Sequence, residues 1–358
     1  MKKHIKNNQT LFIVGVVAII GWLILSTNYE WYNEPIVQLI QEEQPMKPSK
    51  EQSHDTQFQQ FQAKRLNGPQ KDQKITIRHH YIPSEASSMR YRVGDEVFVT
   101  ANRTAIEIRS VKRDRYVWAG MMLFLMIVLA VGRMKSVAAV LSIFGNLLLY
   151  IVVIYIYTSQ LAVPLLPAVV TFSVLAVLLM AFSMNGWNAK SVVMAGSTLI
   201  STALAWGTAS IIMKLTGDQG IRFEEMEFLT RPYRQVFVAS LLIGTLGATT
   251  DVAVTIVSTM SELLEQHPGM QAKEMLQASR RVGRNILGPM INILFFVYVS
   301  EALPLMFLYL ENDWTYTQTA QITLSLELMR ALVGALGITL TVPVSAYLSS
   351  ILLKRGAK

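Results

Sequence analysis

Eight apolar blocks, each near the length that crosses a bilayer (roughly 20 residues), recur along this chain and leave it few folds to choose from. They are Leu11–Leu25, Val117–Val131, Val137–Tyr157, Val163–Met184, Val192–Met213, Val236–Met260, Ile286–Leu310 and Leu328–Leu353. Only helices or closed barrels satisfy their backbone groups in hydrocarbon, and blocks of this length specify helices. The composition agrees: 52% of the 358 residues are hydrophobic and 16% are charged, against about a quarter charged in soluble domains. The expected fold is an all-α polytopic membrane bundle of about eight transmembrane helices with a small extracytoplasmic β-rich domain.

The net charge of +8 would suggest nucleic acid in a soluble protein. Here many of the basic residues lie between apolar blocks, where they set topology, so no nucleic-acid partner is expected. There is no cysteine, which excludes disulfides and thiolate chemistry. The five histidines are scattered, no nucleophile–base or His-Glu-x-x-His motif is present, and neither an enzyme, a metal site nor a cofactor is expected.

With the N-terminus inside, cytoplasmic segments carry Lys2, Lys3, Lys6, Arg133, Lys135, Lys190, Lys273, Arg280, Arg281, Arg284, Lys354, Arg355 and Lys358. The short outer segments 158–162 and 311–327 carry no basic residue, while the outer loop with Lys214, Arg222, Arg231 and Arg234 runs against the trend. The bias places both termini in the cytoplasm of a bacterial cytoplasmic membrane. Residues 1–27 form the first anchor; its length also suits a signal peptide, but Leu25-Ser26-Thr27-Asn28 offers no small-x-small cleavage site.

Residues 28–115 form the outer piece. The Gln-, Glu-, Lys- and Pro-rich part, 28–73, reads as linker. Within 74–115, Lys74–Tyr81, Met89–Thr100 and Ala105–Tyr116 carry the Ile, Val, Thr and aromatic content of strands in a small antiparallel, barrel-like module. Lys112, Arg113 and Arg115 read as ordinary interfacial cations. Residues 116–358 make a seven-helix membrane domain. A cytoplasmic amphipathic helix is expected near 270–284, entered through the His267-Pro268-Gly269 turn.

Within the sixth block Asp251 is the only acidic residue. An ionised carboxylate at that depth costs about 2.5–3.5 kcal/mol even on insertion scales, so it pairs, takes a proton or faces water. Helical spacing puts Gly244, Gly247, Ala248, Thr255 and Ser258 on its face, a surface suited to helix packing and not to lipid. In the seventh block Asn285, Gly288 and Asn292 share a face, and Pro289 frees a backbone carbonyl near Asn285. Asp251 and Asn292 both lie roughly 10–14 Å from the inner side at a helical rise of 1.5 Å, so spans six and seven are expected to meet there. Asp251, Asn292, Thr255 and Asn285 are the candidate proton or ion relay. Nearer the outside, Arg330 can pair with Glu327 or Glu301, and Gly334 and Gly337 form a close-packing stripe on the last span.

At these residues the chain resembles the YibE/F family of bacterial membrane proteins. The matching stretches are Leu242–Ser258, Glu262-Leu263, Val282–Gly288, Asn292 and the Pro343 region, with a looser match at Tyr91–Val97 and Arg113; Ile293-Leu294 departs from the family pattern. The resemblance covers most of 116–355 and implies a shorter family paralogue, or a second copy of this chain, as a partner within the bilayer. The layout is also similar to half of a resistance–nodulation–division transporter, or to a subunit of the related bacterial protein-export motor, in which a mid-span acid helps carry protons. That likeness implies a proton- or cation-coupled transport component with Asp251 as its titrating group. The alternative is a scaffold or accessory subunit in which Asp251 serves helix packing alone.

Overall fold

The computed structural model describes residues 2–43, 57–83, 89–101, 106–159, 163–226 and 232–353. Arg231, Lys354, Arg355 and Lys358, which entered the charge argument, lie outside them. The chain divides into two compact units, Met1–Ser136 and Val137–Lys358.

The first unit contains helix α1 (Lys2–Thr27), a five-stranded antiparallel sheet and the first half of helix α2 (Asp114–Thr158). The strands are β1 (Ile36–Glu43), β2 (Gln57–Arg65), β3 (Lys74–Tyr81), β4 (Glu96–Ala101) and β5 (Ile106–Val111), in spatial order β3-β2-β1-β4-β5. The edge strands β3 and β5 approach each other, so the sheet curls toward closure. Its core is Val37, Leu39, Phe61, Ala63, Ile77, Val97 and Val99.

Two of these strands fall in the stretch expected to be linker. Composition hid them: β2 reads Gln-Phe-Gln-Gln-Phe-Gln-Ala, but Phe61 and Ala63 alternate inward and are fully buried. Gln59 is buried with them and satisfied, donating to Glu42 Oε1 (2.9 Å) and the Tyr91 carbonyl (3.0 Å) while accepting from the Tyr91 N–H (3.1 Å). Helix α1 lies against α2 at Gly21, where a Cβ would come within 2.4 Å of the Trp118 ring. The Trp118 Nε1–H donates to the Ala18 carbonyl at 3.1 Å.

The second unit holds the rest of α2 with α3 (Leu165–Asn185), α4 (Ala189–Thr216), α5 (Tyr233–Gln266), α6 (Ala272–Glu311), the short α7 (Tyr316–Thr323) and α8 (Ser325–Leu348), which runs into a π-helical turn, Ser349–Leu353. Local chemistry sets the ends. Asn188 caps α4 by accepting from the Ser191 N–H, Gly217 ends it in the left-handed region (φ 60°), and Gln271 with Glu274 forms a capping box on α6. Seven helical segments among the described residues are long and apolar enough to cross a membrane, and Ile13–Thr27 is a shorter apolar one.

The blocks 117–131 and 137–157 fall in two membrane-length segments, Asp114–Gly132 and Ser136–Thr158, both within the range of α2. One expectation changes here. The amphipathic helix expected near 270–284 is not a separate interfacial element; it is the first part of α6, which runs unbroken through Pro289 and Pro304. Met275, Ser279 and Gly283 of that part are buried.

Helices α4, α5 and α8 form the centre of the second unit, with α3 against α4 and α5, and α6 against α8. Small residues permit the approach. A Cβ on Gly337 would stand 2.7 Å from Thr245 Cγ2 and 2.8 Å from Thr249 Cγ2, and one on Gly334 would stand 3.0 Å from Leu294. By contrast α2 and α6 keep most of their surface on the outside, with Leu147, Leu148, Ile151 and Phe296 exposed as a lipid-facing skin.

Candidate functional site

Asp251 is the one charged residue in the apolar stretch 236–260 of α5, and that helix buries Thr245, Leu246, Ala248, Thr249, Val252 and Ala253 against the bundle. The opposite stripe, Gly247-Asp251-Thr255, is exposed on the flank of this chain. The Thr255 hydroxyl donates to the Asp251 backbone carbonyl (2.9 Å) and not to its carboxylate. Among the described residues the carboxylate has no ion-pair partner in the bundle; the seven ion pairs found there all lie elsewhere.

The carboxylate opens on a lateral groove of about 320 Å³, bounded by Asn146 of α2, Ala176 and Met180 of α3, and Gly247 and Thr250 of α5. Asn146 Oδ1 is buried without a hydrogen-bond partner, as is Ser142 Oγ one turn earlier on the same helix. The groove thus gathers a carboxyl and an unsatisfied amide oxygen inside an apolar wall, a place where a proton, a small cation or water completes the hydrogen bonding.

This corrects the expected pairing with span seven. Helix α8 stands between α5 and most of α6, and Asn285, Gly288 and Asn292 are exposed on α6, outside the groove. Neither Gly247 nor Gly288 has anything within 4 Å of where a Cβ would be, so neither is a packing glycine within this chain. Gly244 does meet α6, with the Tyr298 hydroxyl 2.5 Å from a built Cβ, and Ala248 is buried. The polar neighbour is Asn146, in a span where no residue drew notice; a lone Asn in the block 137–157 was the available signal.

At the end of the bundle where α6 finishes and α8 begins, Arg330 donates to Glu327 Oε1 and stacks over the Phe237 ring at 5.5 Å. Of the two partners open to Arg330, the structure uses Glu327; Glu301 is exposed on α6. In the centre, the Thr202 and Thr249 hydroxyls share a 2.7 Å hydrogen bond, and the buried hydroxyls of Ser197, Ser201, Thr245, Ser345 and Ser349 have no partner. Serine and threonine spacing in the blocks carried that signal.

The first unit hides a charge cluster that the sequence presented as interfacial cations. Lys112 is fully buried, with its Nζ 3.1 Å from Asp114 Oδ1, 3.8 Å from Glu96 Oε2 and 2.5 Å from the Leu25 carbonyl. Arg115 reaches Glu96 Oε1 at 3.3 Å, the Tyr29 hydroxyl donates to the same oxygen (2.9 Å), and the Tyr32 hydroxyl donates to Asp114 Oδ2. Both tyrosine rings also face the ammonium, at 5.3 and 5.2 Å. Burial, then the bond to Glu96, pushes the Tyr29 phenol up to about 12; burial and the bond to Asp114 raise Tyr32 as well.

A helical bundle with seven membrane-length segments among the described residues, and an N-terminal antiparallel sheet, defines an integral membrane protein. The chain belongs to the YibE/F family: residues 120–355 match the family YibE/F-like protein and residues 30–111 match the YibE/F family N-terminal domain. No curated protein and no solved structure matches it.

Proposed function

We propose that this protein is a component of a proton- or cation-coupled transport system of the bacterial cytoplasmic membrane, with Asp251 as the intramembrane group that takes up and releases the ion. The observation that carries this reading is the unpaired Asp251 carboxylate in a polar-tipped lateral groove beside Asn146, within an otherwise apolar stretch of α5. A carboxyl held without a fixed counter-charge changes occupancy at the smallest cost, because proton or cation binding cancels its desolvation penalty. Thr250 and Asn146 supply the neutral ligands nearest to it in the groove. Asn292, Asn285 and Thr255 drop out as carboxylate partners within this chain. The β-sheet unit, on the outer side by the charge bias, would contact cargo or a partner.

A second reading has its own support. The exposed Gly247-Asp251-Thr255 stripe suits the close approach of a helix from another membrane subunit, either the shorter paralogue or a second copy, and an accessory subunit would use it for docking. Ion flux in proteoliposomes containing the purified chain, or the chain with its paralogue, separates the two. The transport reading expects Asp251→Asn to abolish flux at unchanged protein level; full flux through the Asn variant ends it. The docking reading expects Asn to be nearly silent and Asp251→Leu to be harmful.

A further inference from the structure

A cleft of about 1030 Å³ opens in the second unit at the end where α6 finishes and α8 begins, and neither Asp251 nor Asn146 borders it. On its floor, Glu327 is nine-tenths buried and spends one carboxylate oxygen on Arg330; the other, Oε2, is buried with no hydrogen-bond partner. Glu301 from α6 and Glu224 from the turn before α5 border the same space, and neither has an ion pair among the described residues. Among the described residues Arg330 is the single basic side chain at the cleft, and it is already neutralised by Glu327. The remaining wall is apolar and aromatic, with Met226, Val236, Leu305, Leu308 and Tyr157.

We propose that this cleft is a binding site for an amphipathic organic cation, with an amine or quaternary head held by Glu301, Glu224 and the free oxygen of Glu327 and an apolar body against Leu305, Leu308 and Met226. Size and charge both select this class. The volume is at the upper end of small-molecule sites, about 300–1,000 Å³. Among the described residues no three acidic or histidine side chains stand close enough together to chelate a metal ion, so the carboxyls form a diffuse negative field suited to a bulky head. An anion would meet three carboxyls and a guanidinium that has its partner. Aromatic rings at the rim favour a soft, weakly hydrated cation over a strongly hydrated one. This site is independent of the role given to Asp251, since it requires binding and no ion flux.

The test uses the purified full chain in nanodiscs with two probes of equal shape and opposite charge, tetraphenylphosphonium and tetraphenylborate, measured by equilibrium dialysis against empty nanodiscs. Saturable binding of the phosphonium, and only lipid partitioning of the borate, is the expected result. Glu327→Gln risks unfolding by leaving Arg330 unpaired, so the exposed residues decide: Glu301→Gln should weaken phosphonium binding about tenfold, the worth of one charged contact. Leu308→Trp, on the exposed wall, should weaken binding by placing a bulky ring where the apolar body would lie. Saturable binding of both probes, no saturable binding of the phosphonium, or binding unchanged in both variants overturns the proposal.

Discussion

The two units treat charge in opposite ways. Around Lys112 the first unit gathers a buried ammonium, the buried Glu96 carboxylate and the half-buried Asp114 and Arg115 in one network, with two tyrosine hydroxyls and a backbone carbonyl completing it. The second unit leaves Asp251 without a counter-charge among the described residues, on the flank of its central helix trio. In a network with several mutual partners the removal of any one is costly, because each charge compensates the desolvation of the others. A solitary carboxyl is held in place only by its helix, so its protonation state can change without disturbing the packing around it. The contrast separates a structural use of charge from one available for function.

Breaking the network should give the largest effect. Lys112→Met removes the buried ammonium from between the buried Glu96 and the half-buried Asp114, a change expected to cost about 3 kcal/mol and to expose the sheet unit to limited proteolysis. An unchanged protease pattern would mean that the network contributes nothing to holding α1, β4 and α2 together. Next in size is Gly337→Val in α8. The added carbons meet Thr245 and Thr249 at 2.7 and 2.8 Å, and overpacking of that kind costs about 1–3 kcal/mol, read as a lower melting temperature in detergent. Gly288→Ala is its control, because nothing lies within 4 Å of the new atom; equal losses in the two variants would contradict the central position of α8.

Asp251→Asn should change thermal stability by less than about 0.5 kcal/mol, as for a substitution away from any packed or paired group. A large loss would show the carboxylate to be part of a structural network after all, and would erase the contrast between the units. The smallest effect is expected from His79 in β3. Burial lowers its proton affinity below the ordinary 6.5, while its bond to the Met89 carbonyl opposes the shift. A histidine with a depressed folded pKa adds stability above 6.5 that is lost as pH falls from 6.5 through the lower folded value, because the unfolded chain binds the proton first. His79→Gln should therefore flatten the acid side of the unfolding curve of the sheet unit below pH 6.5; an unaltered slope would assign that loss to other groups.

Element type was legible where one signal dominated. The apolar blocks marked the membrane helices, and the β-branched and aromatic content of Lys74–Tyr81 marked β3 with its observed ends. Strand β2 was missed because glutamine hides a period-two pattern whose informative members are only Phe61 and Ala63. For Asp251, helical spacing correctly grouped it with Gly247 and Thr255, but a shared face carries no information on which way that face turns. Small residues fit equally a packed interface and an open groove, and the insertion of α8 between α5 and α6 depends on contacts distant in sequence. Lys112 was misjudged for a related reason: a lysine beside a membrane entry is read from its neighbours in sequence, while its partners Leu25 and Glu96 come from elsewhere in the unit.

The two donors that hold α1 in place also set a schedule. Lys112 and Trp118 follow their acceptors Leu25 and Ala18 by 87 and 100 residues. At ribosomal speeds of about 5–20 residues per second, the first helix would wait roughly 4–20 s in the bilayer before either side chain emerges to meet it. During that interval Gly21 presents an open notch where the Trp118 ring will later lie, and whatever shields the notch on the nascent chain must leave when α2 arrives.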